Sequence, residues 1–386
     1  MKIFLTFNDN YDGIFQSQVI DVVKMYQLEG IHFKLISFFS IRNFFRQRDK
    51  VLRNYPQALV LPMFPKIKNW KLNRYILKHF LKHADLIISR GIFATNLALL
   101  TKNRNSRVVY NGRGAIFSEQ NEFGVYNGTG LEESIFQLEK NAVLNSDTRI
   151  SVSQNLVAYW RKNFKYEENG HQIIPSATSF YSLPQRFESK ENHRLTIVFS
   201  GSFSKWQSFE LMCTHFEHFL ASNKNIQIKI LCKNSSVFSI LKEKYADAIQ
   251  TMWVSHDKVK DILITADYGY VYRDNTETNM VASPVKIAEY LSCGLKLLIS
   301  NSLGDYSDLT TSNNLGFNLD SNDFNFSDIQ KVSIAEKERI TKFAMENLSI
   351  FHQPEMGKLI FCDLILKMIR KNGSPKLLAV NTLLKR

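Results

Sequence analysis

Cysteine is scarce in this sequence and nowhere paired by spacing. Cys213, Cys232, Cys293 and Cys362 are the only four in 386 residues, with no Cys-x-x-Cys and no Cys/His grouping. That argues against a disulfide framework and offers no zinc-ligand spacing, so no metal site is expected. Long apolar runs are missing too. Stretches such as "LIFCDLIL" fall far short of the about 20 residues that cross a bilayer. The start, "MKIFLTFNDN", enters a strand at once and lacks the apolar core and cleavage site of a secretory signal. Acidic residues are outnumbered: 36 Asp and Glu against 49 Lys and Arg, a formal net charge of +13. Such a balance asks for an anionic partner, whether nucleic acid, acidic lipid or a phosphorylated small molecule. The ribonucleoprotein signature, basic zipper and zinc-finger spacing of nucleic-acid binders are all absent, which sets nucleic acid aside. Low-complexity tracts and internal repeats are lacking as well. The expected setting is a reducing cytoplasm. Basic clusters ("RNFFRQRDK", "FPKIKNWKLNR", "KMIRKNGSPK") leave the inner face of the cytoplasmic membrane open as a place of peripheral attachment.

What is present is alternation. Short apolar strands such as "KIFLTF", "FKLISFF", "DLIISR", "RVVYN" and "RISVS" each precede an amphipathic helical stretch. This pattern implies a parallel sheet with helices on both faces. It breaks in the polar stretch "SATSFYSLPQRFESKENH" and then restarts with "LTIVFSG", "IQIKILC", "IQTMWVS" and "DYGYVYR". The expected organisation is a first Rossmann-like domain over 1–178, a linker over 179–193 and a second Rossmann-like domain over 194–350. A final helix and basic tail over 351–386 would pack back on the first domain. Two doubly wound domains joined this way face each other across a cleft, at the carboxyl ends of their strands, where such sheets bind ligands.

Two stretches carry candidate chemistry. In "VFSGSFSKWQSF" a strand ends near Ser200, Gly201 and Ser202 make the turn, and Lys205 sits near the next helix start. Strand, glycine turn, lysine and helix N-terminus together can hold phosphate; a solvated lysine on an ordinary turn is the plain alternative. In "NMVASPVKIAEYLSCGLKLLIS" the spacing predicts Ser283 as N-cap, Pro284 in the first helical position and Gly294 as the left-handed stop. Glu289 could accept both hydroxyls of a ribose, or it could merely pair with Lys286 on a wet helix face. Taken together the two stretches make a nucleotide site.

At this point the residues resemble a known family. "GSFSKWQ", "DYGYVYRDN" and above all "ASPVKIAEYLSCGLKLLIS" look like the donor domain of bacterial GT-B glycosyltransferases of the family-4 type, which include capsule and lipopolysaccharide enzymes. The resemblance implies an enzyme that transfers sugar from a nucleotide sugar to a glycan or lipid-pyrophosphate acceptor, with retention of configuration. It implies no cofactor and no metal, cationic side chains and helix dipoles taking the metal's place. Glu289 matches the second glutamate of the family's Glu-x7-Glu motif, which holds the donor ribose. The first would fall at Val281, so that carboxylate is missing, and Asn279 is the candidate to contact the sugar instead. Lys205 matches the diphosphate-binding lysine, with Arg273 as its candidate partner. The amides around Ser283, Pro284 and Val285, with Lys286, would meet phosphate or sugar. "DNYDGIFQSQVIDVV" resembles the glycine loop of the acceptor domain at Gly13, and Arg90 and Arg113 lie at strand ends facing the acceptor. A nucleotide-sugar epimerase on the same fold and a non-catalytic scaffold derived from a transferase are the rival readings.

Overall fold

The short apolar runs of the sequence become two parallel sheets in the computed structural model, which describes residues 1–167, 170–178, 187, 194–202, 204–233 and 236–349 (the side chains of Lys205 and Asp257 excepted). The first sheet contains β1 (Lys2–Phe7), β2 (Phe33–Ser40), β3 (Leu59–Met63), β4 (Leu86–Arg90), β5 (Arg107–Asn111), β6 (Thr148–Ser151) and β7 (His171–Ile173). Their order is β3-β2-β1-β4-β5-β6-β7. The second contains β8 (Leu195–Ser200), β9 (Ile226–Leu231), β10 (Ile249–Met252), β11 (Tyr268–Val271), β12 (Lys296–Ile299) and β13 (Gly316–Asn318), in the order β10-β9-β8-β11-β12-β13. Neighbouring strands run parallel throughout.

Helices cover both faces of each sheet, so strand residues find apolar surroundings on either side. Along β1, Ile3 and Leu5 enter one core cluster and Phe4 the other. Along β8, Ile197 and Phe199 face one cluster and Val198 its opposite. The result is the α/β architecture of two doubly wound, Rossmann-like lobes that the alternation predicts. The final helix expected to return over the first lobe lies outside the described residues.

Strand order reverses beside the first strand of each lobe, between β1 and β4 and again between β8 and β11. The carboxyl ends at such a switch point form a natural crevice. Gly13 and Arg90 follow or end the first pair of strands; Gly201 and Arg273 follow the second.

Each lobe completes helix ends belonging to the other. The helix Gln154–Phe164 is capped by its own Ser153 and by Asp305 of the second lobe. The Asp305 carboxylate accepts from Gln154 N (2.6 Å), Asn155 N (3.1 Å) and Asn155 Nδ2 (2.8 Å). In return, Glu122 of the first lobe accepts from the backbone N–H groups of Glu277 (2.8 Å) and Thr278 (3.2 Å), where the short helix Glu277–Met280 begins. The Glu277 side chain then takes bonds from Ser118 Oγ (2.6 Å) and Lys162 Nζ (2.9 Å). Ser153 Oγ donates to Val281 O (2.7 Å), and Val281, 2% exposed, packs into the core cluster of the first lobe. Thr178, at the end of the first lobe, pairs with Ser349, just past the helix Ile334–Asn347.

Asp305→Ala would strip acceptors from two backbone N–H groups at a helix start. We expect a loss of about 1–2 kcal/mol in chemical denaturation, against a near-zero effect for Asp308→Ala, whose exposed side chain lies on the same helix. Equal effects from the two variants would mean that capping across the seam contributes nothing.

Candidate active site in the cleft

The helix Val285–Ser292 organises the site. Ile287, Ala288, Tyr290 and Leu291 are fully buried in it, and the helix Ile334–Asn347 packs against its outer side. Tyr290 lies so close over β11 that a Cβ on Gly269 would come within 2.1 Å of its ring. Its hydroxyl accepts from Ser200 N (2.7 Å), tying the helix to the end of β8 where the glycine turn begins. A side chain at Gly201 would meet Lys286 Nζ at 2.7 Å. Glycine there leaves room for the lysine amine to lie against the turn.

Lys286 is half-buried. Its Nζ donates to Gln207 Oε1 (3.1 Å) and stands 4.4 Å from the Phe199 ring centroid. Removal from water, then the charge of Arg273, push its pKa down to about 7. Arg273 is 7% exposed and pushed down to about 10 by burial, with Glu119 opposing that shift. Its Nη1 reaches Asn279 Oδ1 (3.4 Å), while its buried Nε has no hydrogen-bond partner among the described residues. Two cations that repel each other, beside a turn with no side chain, form a cradle for an anion.

Glu289, 9% exposed, directs Oε1 to within 3.5 Å of His256 Nε2. The same imidazole lies against the first lobe, where a Cβ on Gly13 would meet His256 Cδ2 at 2.9 Å. The glycine turn after β1 therefore sits across the cleft from Glu289, with one imidazole between them. Asp12 caps the helix that starts at Gly13 by accepting from Phe15 N (2.9 Å).

The other expected residues distribute as follows. Lys205 opens a 3-10 turn, Lys205–Gln207, and its side chain lies outside the description. Ser202 Oγ shares a 2.9 Å hydrogen bond with Ser204 on the exposed turn. Asn279 is fully buried; its Nδ2 donates to Asp274 O (3.0 Å), so it braces Arg273 from behind. Ser283 corrects the expectation of an N-cap. Pro284 occupies that position with extended backbone, and the helix starts at Val285. The Ser283 hydroxyl accepts from Ser176 N (2.8 Å) and shares a bond with Tyr306 (3.0 Å), because the first lobe supplies a closer partner than the helix does.

In the first lobe, Arg113 donates to Gln18 Oε1 and to Ser176 Oγ (3.1 Å). Burial and the nearby charge of Arg90 depress its pKa to about 9. Arg90 Nε, Asp9 Oδ2 and Asn111 Oδ1 are buried polar atoms without hydrogen-bond partners among the described residues. All three lie at or just beyond the carboxyl ends of β1, β4 and β5, and Arg273 Nε repeats the pattern beyond β11. Buried polar groups are normally paired; unpartnered atoms also occur elsewhere in the described residues, such as Trp160 Nε1 and Ser292 Oγ, but these four stand at strand ends where a polar ligand can reach them. Among the described residues, no cluster of three or more His, Cys, Asp or Glu side chains is placed to hold a metal ion.

Sequence reasoning sees Glu119 only as a strand-end loop residue facing the cleft, and it misses Glu139 and Gln18. Glu119 sits where a Cβ on Gly114 would touch its Oε1 at 2.6 Å, and burial raises its pKa to about 7, with Arg273 pulling the other way. Glu139, fully buried, accepts from the backbone N–H of Ile116 (3.1 Å) and Phe117 (2.7 Å) and so fixes the helix that carries Glu119. Gln18 also donates to Ala177 O (2.7 Å). A strand-end loop containing Glu119 is visible in the sequence, but its partner Arg273 lies in the other lobe.

No protein-family model matches the chain, and no curated protein matches it by sequence. Solved structures do match in shape, at full length. Sucrose-phosphate synthase from Thermosynechococcus elongatus superposes with a TM-score of 0.69 at 12% identity, covering 95% of this chain and 100% of that one. HepE of Anabaena, solved in complex with UDP, gives 0.67 at 11% identity, with 94% and 99% covered. TarM of S. aureus, solved with fondaparinux, alpha-GlcNAc-glycerol and UDP, gives 0.69 at 9% identity, with 93% and 99% covered. At these identities the likeness is one of fold, and the fold of this chain is GT-B.

Proposed function

We propose that the protein is a nucleotide-sugar-dependent glycosyltransferase that moves a sugar to a glycan or lipid-pyrophosphate-linked acceptor with retention of configuration, in cell-surface polysaccharide synthesis. The observation that carries this reading is the anion cradle at the switch point of the second lobe, where Arg273 and Lys286 converge beside Gly201. In this reading residues 1–178 form the acceptor domain and residues 194–350 the donor domain. HepE and TarM were solved with UDP, which makes UDP the first donor nucleotide to try here.

The chemical demand is departure of a nucleoside diphosphate from an anomeric carbon. Negative charge grows on the bridging oxygen as the carbon–oxygen bond breaks. Arg273, Lys286 and Lys205, with the backbone N–H of Val285 at the helix start, stabilise it, so no metal ion is required. Glu289 holds the ribose hydroxyls, displacing His256, and so sets the position of the reacting carbon. The acceptor hydroxyl bonds to that carbon from the face the diphosphate leaves, and its proton passes to the departing phosphate oxygen. Arg90 and Arg113 attract an acidic or pyrophosphate acceptor. The seam between the lobes limits water entry. Exposed Ile41, Phe45 and Phe64 at the cleft end of the first lobe, among basic residues, suit peripheral contact with the inner membrane face; among the described residues no helix is long and apolar enough to cross a membrane.

The rival scaffold reading draws on Val281, an apolar residue in the place of the family's first glutamate. A thermal-shift series with UDP, GDP, CDP and ADP separates the two. At a hundred times its dissociation constant a binder stabilises the fold by about 2.7 kcal/mol. We expect one nucleotide to do so, with the shift lost in Arg273→Ala and Glu289→Ala. A folded protein that responds to none would defeat the donor site. Slow hydrolysis of the matching nucleotide sugar without acceptor would then separate an enzyme from a scaffold that merely binds.

Lys286 makes a second expectation. Folding lowers its pKa from 10.5 to about 7, so across that interval the unfolded chain holds a proton the folded one has released. Stability of the ligand-free protein should therefore rise with pH over that interval relative to Lys286→Met. A bound diphosphate favours the charged amine, so nucleotide binding near pH 8 should take up a proton and weaken as pH rises further. Calorimetry in buffers of differing ionisation enthalpy reads this directly; no proton uptake, or the same uptake in Lys286→Met, would remove Lys286 from the diphosphate site.

A further inference from the structure

An open pocket of about 440 Å³ on the first lobe is lined by Tyr75, Lys78, His79, Lys82, Thr101, Lys102 and Asn103. It lies far from the cleft. The helix Arg74–Leu81 leads back from the carboxyl end of β3 to the start of β4, and the helix Gly91–Thr101 likewise runs away from the carboxyl end of β4. The pocket runs along one face of the first helix, from Tyr75 to Lys82, and meets the C-terminal end of the second at Thr101.

Lysines near helix C-termini usually answer the partial negative charge of terminal carbonyls. Here neutral groups already do so. Asn103 Nδ2 donates to Leu81 O (3.4 Å), Lys82 O (3.1 Å) and Ala84 O (3.1 Å), and Thr101 Oγ1 donates to Leu97 O (2.6 Å). The neighbouring carboxylate is also committed: Asp147 takes Lys102 Nζ (3.1 Å), Arg107 Nη1 (2.8 Å) and Val108 N (2.9 Å). Lys78 and Lys82 are exposed, and the amine of neither has a hydrogen-bond or ion-pair partner among the described residues. No acidic side chain lines the pocket. Its volume lies within the range of small-ligand sites, and Tyr75, 66% exposed at its edge, carries the Arg74 guanidinium 4.8 Å from its ring centroid and has its other face for a sugar.

We propose that this pocket binds an anionic saccharide, through carboxylate or phosphate groups held by Lys78 and Lys82. The site is independent of the donor-site reading and separate from the cleft. A concave pocket lined by Tyr75 and the His79 imidazole suits a sugar better than a bilayer, and the exposed Ile41, Phe45 and Phe64 stand at the cleft end instead. The ligand has two sources of one chemistry, an acidic stretch of a glycan chain or a free sugar phosphate.

The test is calorimetric titration of the full chain with a galacturonate hexamer, neutral maltohexaose, glucose 6-phosphate and phosphatidylglycerol vesicles. One or both anionic sugars should saturate a single site while maltohexaose does not bind; a tighter hexamer points to a glycan chain, a tighter glucose 6-phosphate to a free metabolite. Lys78→Ala with Lys82→Ala should weaken binding about tenfold. Lys224→Ala with Lys342→Ala, which removes the same charge from exposed positions in the other lobe, should leave it unchanged. Any nucleotide response in the thermal-shift series should persist in both double variants. No sugar binding, equal binding of maltohexaose, equal losses in the two double variants, or binding to vesicles alone would each overturn the proposal.

Discussion

The site depends on how the two lobes finish each other's helices. A helix start leaves backbone N–H groups without partners inside the helix, and here two such starts are satisfied from across the seam, one by Asp305 and one by Glu122. The exchange holds the carboxyl ends of two separate sheets opposite one another. Gly13 meets His256, and Glu119 acts electrostatically on Arg273, only because this seam exists. Neither lobe alone contains those pairs.

Burial then does to the cations what the seam does to the backbone. Arg113 and Lys286 each lose affinity for their proton, first through removal from water and then through a neighbouring arginine. The compensating carboxylates are few, and Glu119 is itself pushed toward neutrality. The cleft thus carries positive potential that the fold leaves unneutralised, at the places where polar atoms lack partners. Anionic oxygen would pair with the Arg90 and Arg273 Nε donors, and sugar hydroxyls would donate to the Asp9 and Asn111 oxygens, so a ligand carrying both groups would relieve both conditions together.

Much of the architecture was legible because parallel strands covered on both faces read as unbroken apolar runs. The start of the helix at Gln154, the span near 334–348 and the glycine turn at Gly201 all follow from local signals. The failures have a common cause. Helical periodicity groups Lys286 with Glu289 on one wet face, yet the first turns toward Gln207 and Phe199 and the second toward His256. Ser283 has the chemistry of a cap, but a backbone N–H 107 residues away claims its hydroxyl. Glu122 and Glu277 look like solvated helix charges until the lobes are brought together. Contacts between distant segments leave no periodic trace in one sequence, so a site assembled across a seam is visible there only in halves.

The segment Gln16–Ile20 is a π-helical turn, closed by Asp21 N–H on Gln16 O. Such a turn holds one residue more than an α-turn would. That extra residue sets the phase of the residues within the turn and before it, among them Gln18, which spans from Arg113 to Ala177. One residue fewer would restore ordinary helical pairing and swing that amide by about 100°, away from both. The length of this segment is therefore itself a determinant of the cleft, and drift in residue count would be tolerated less here than drift in residue type.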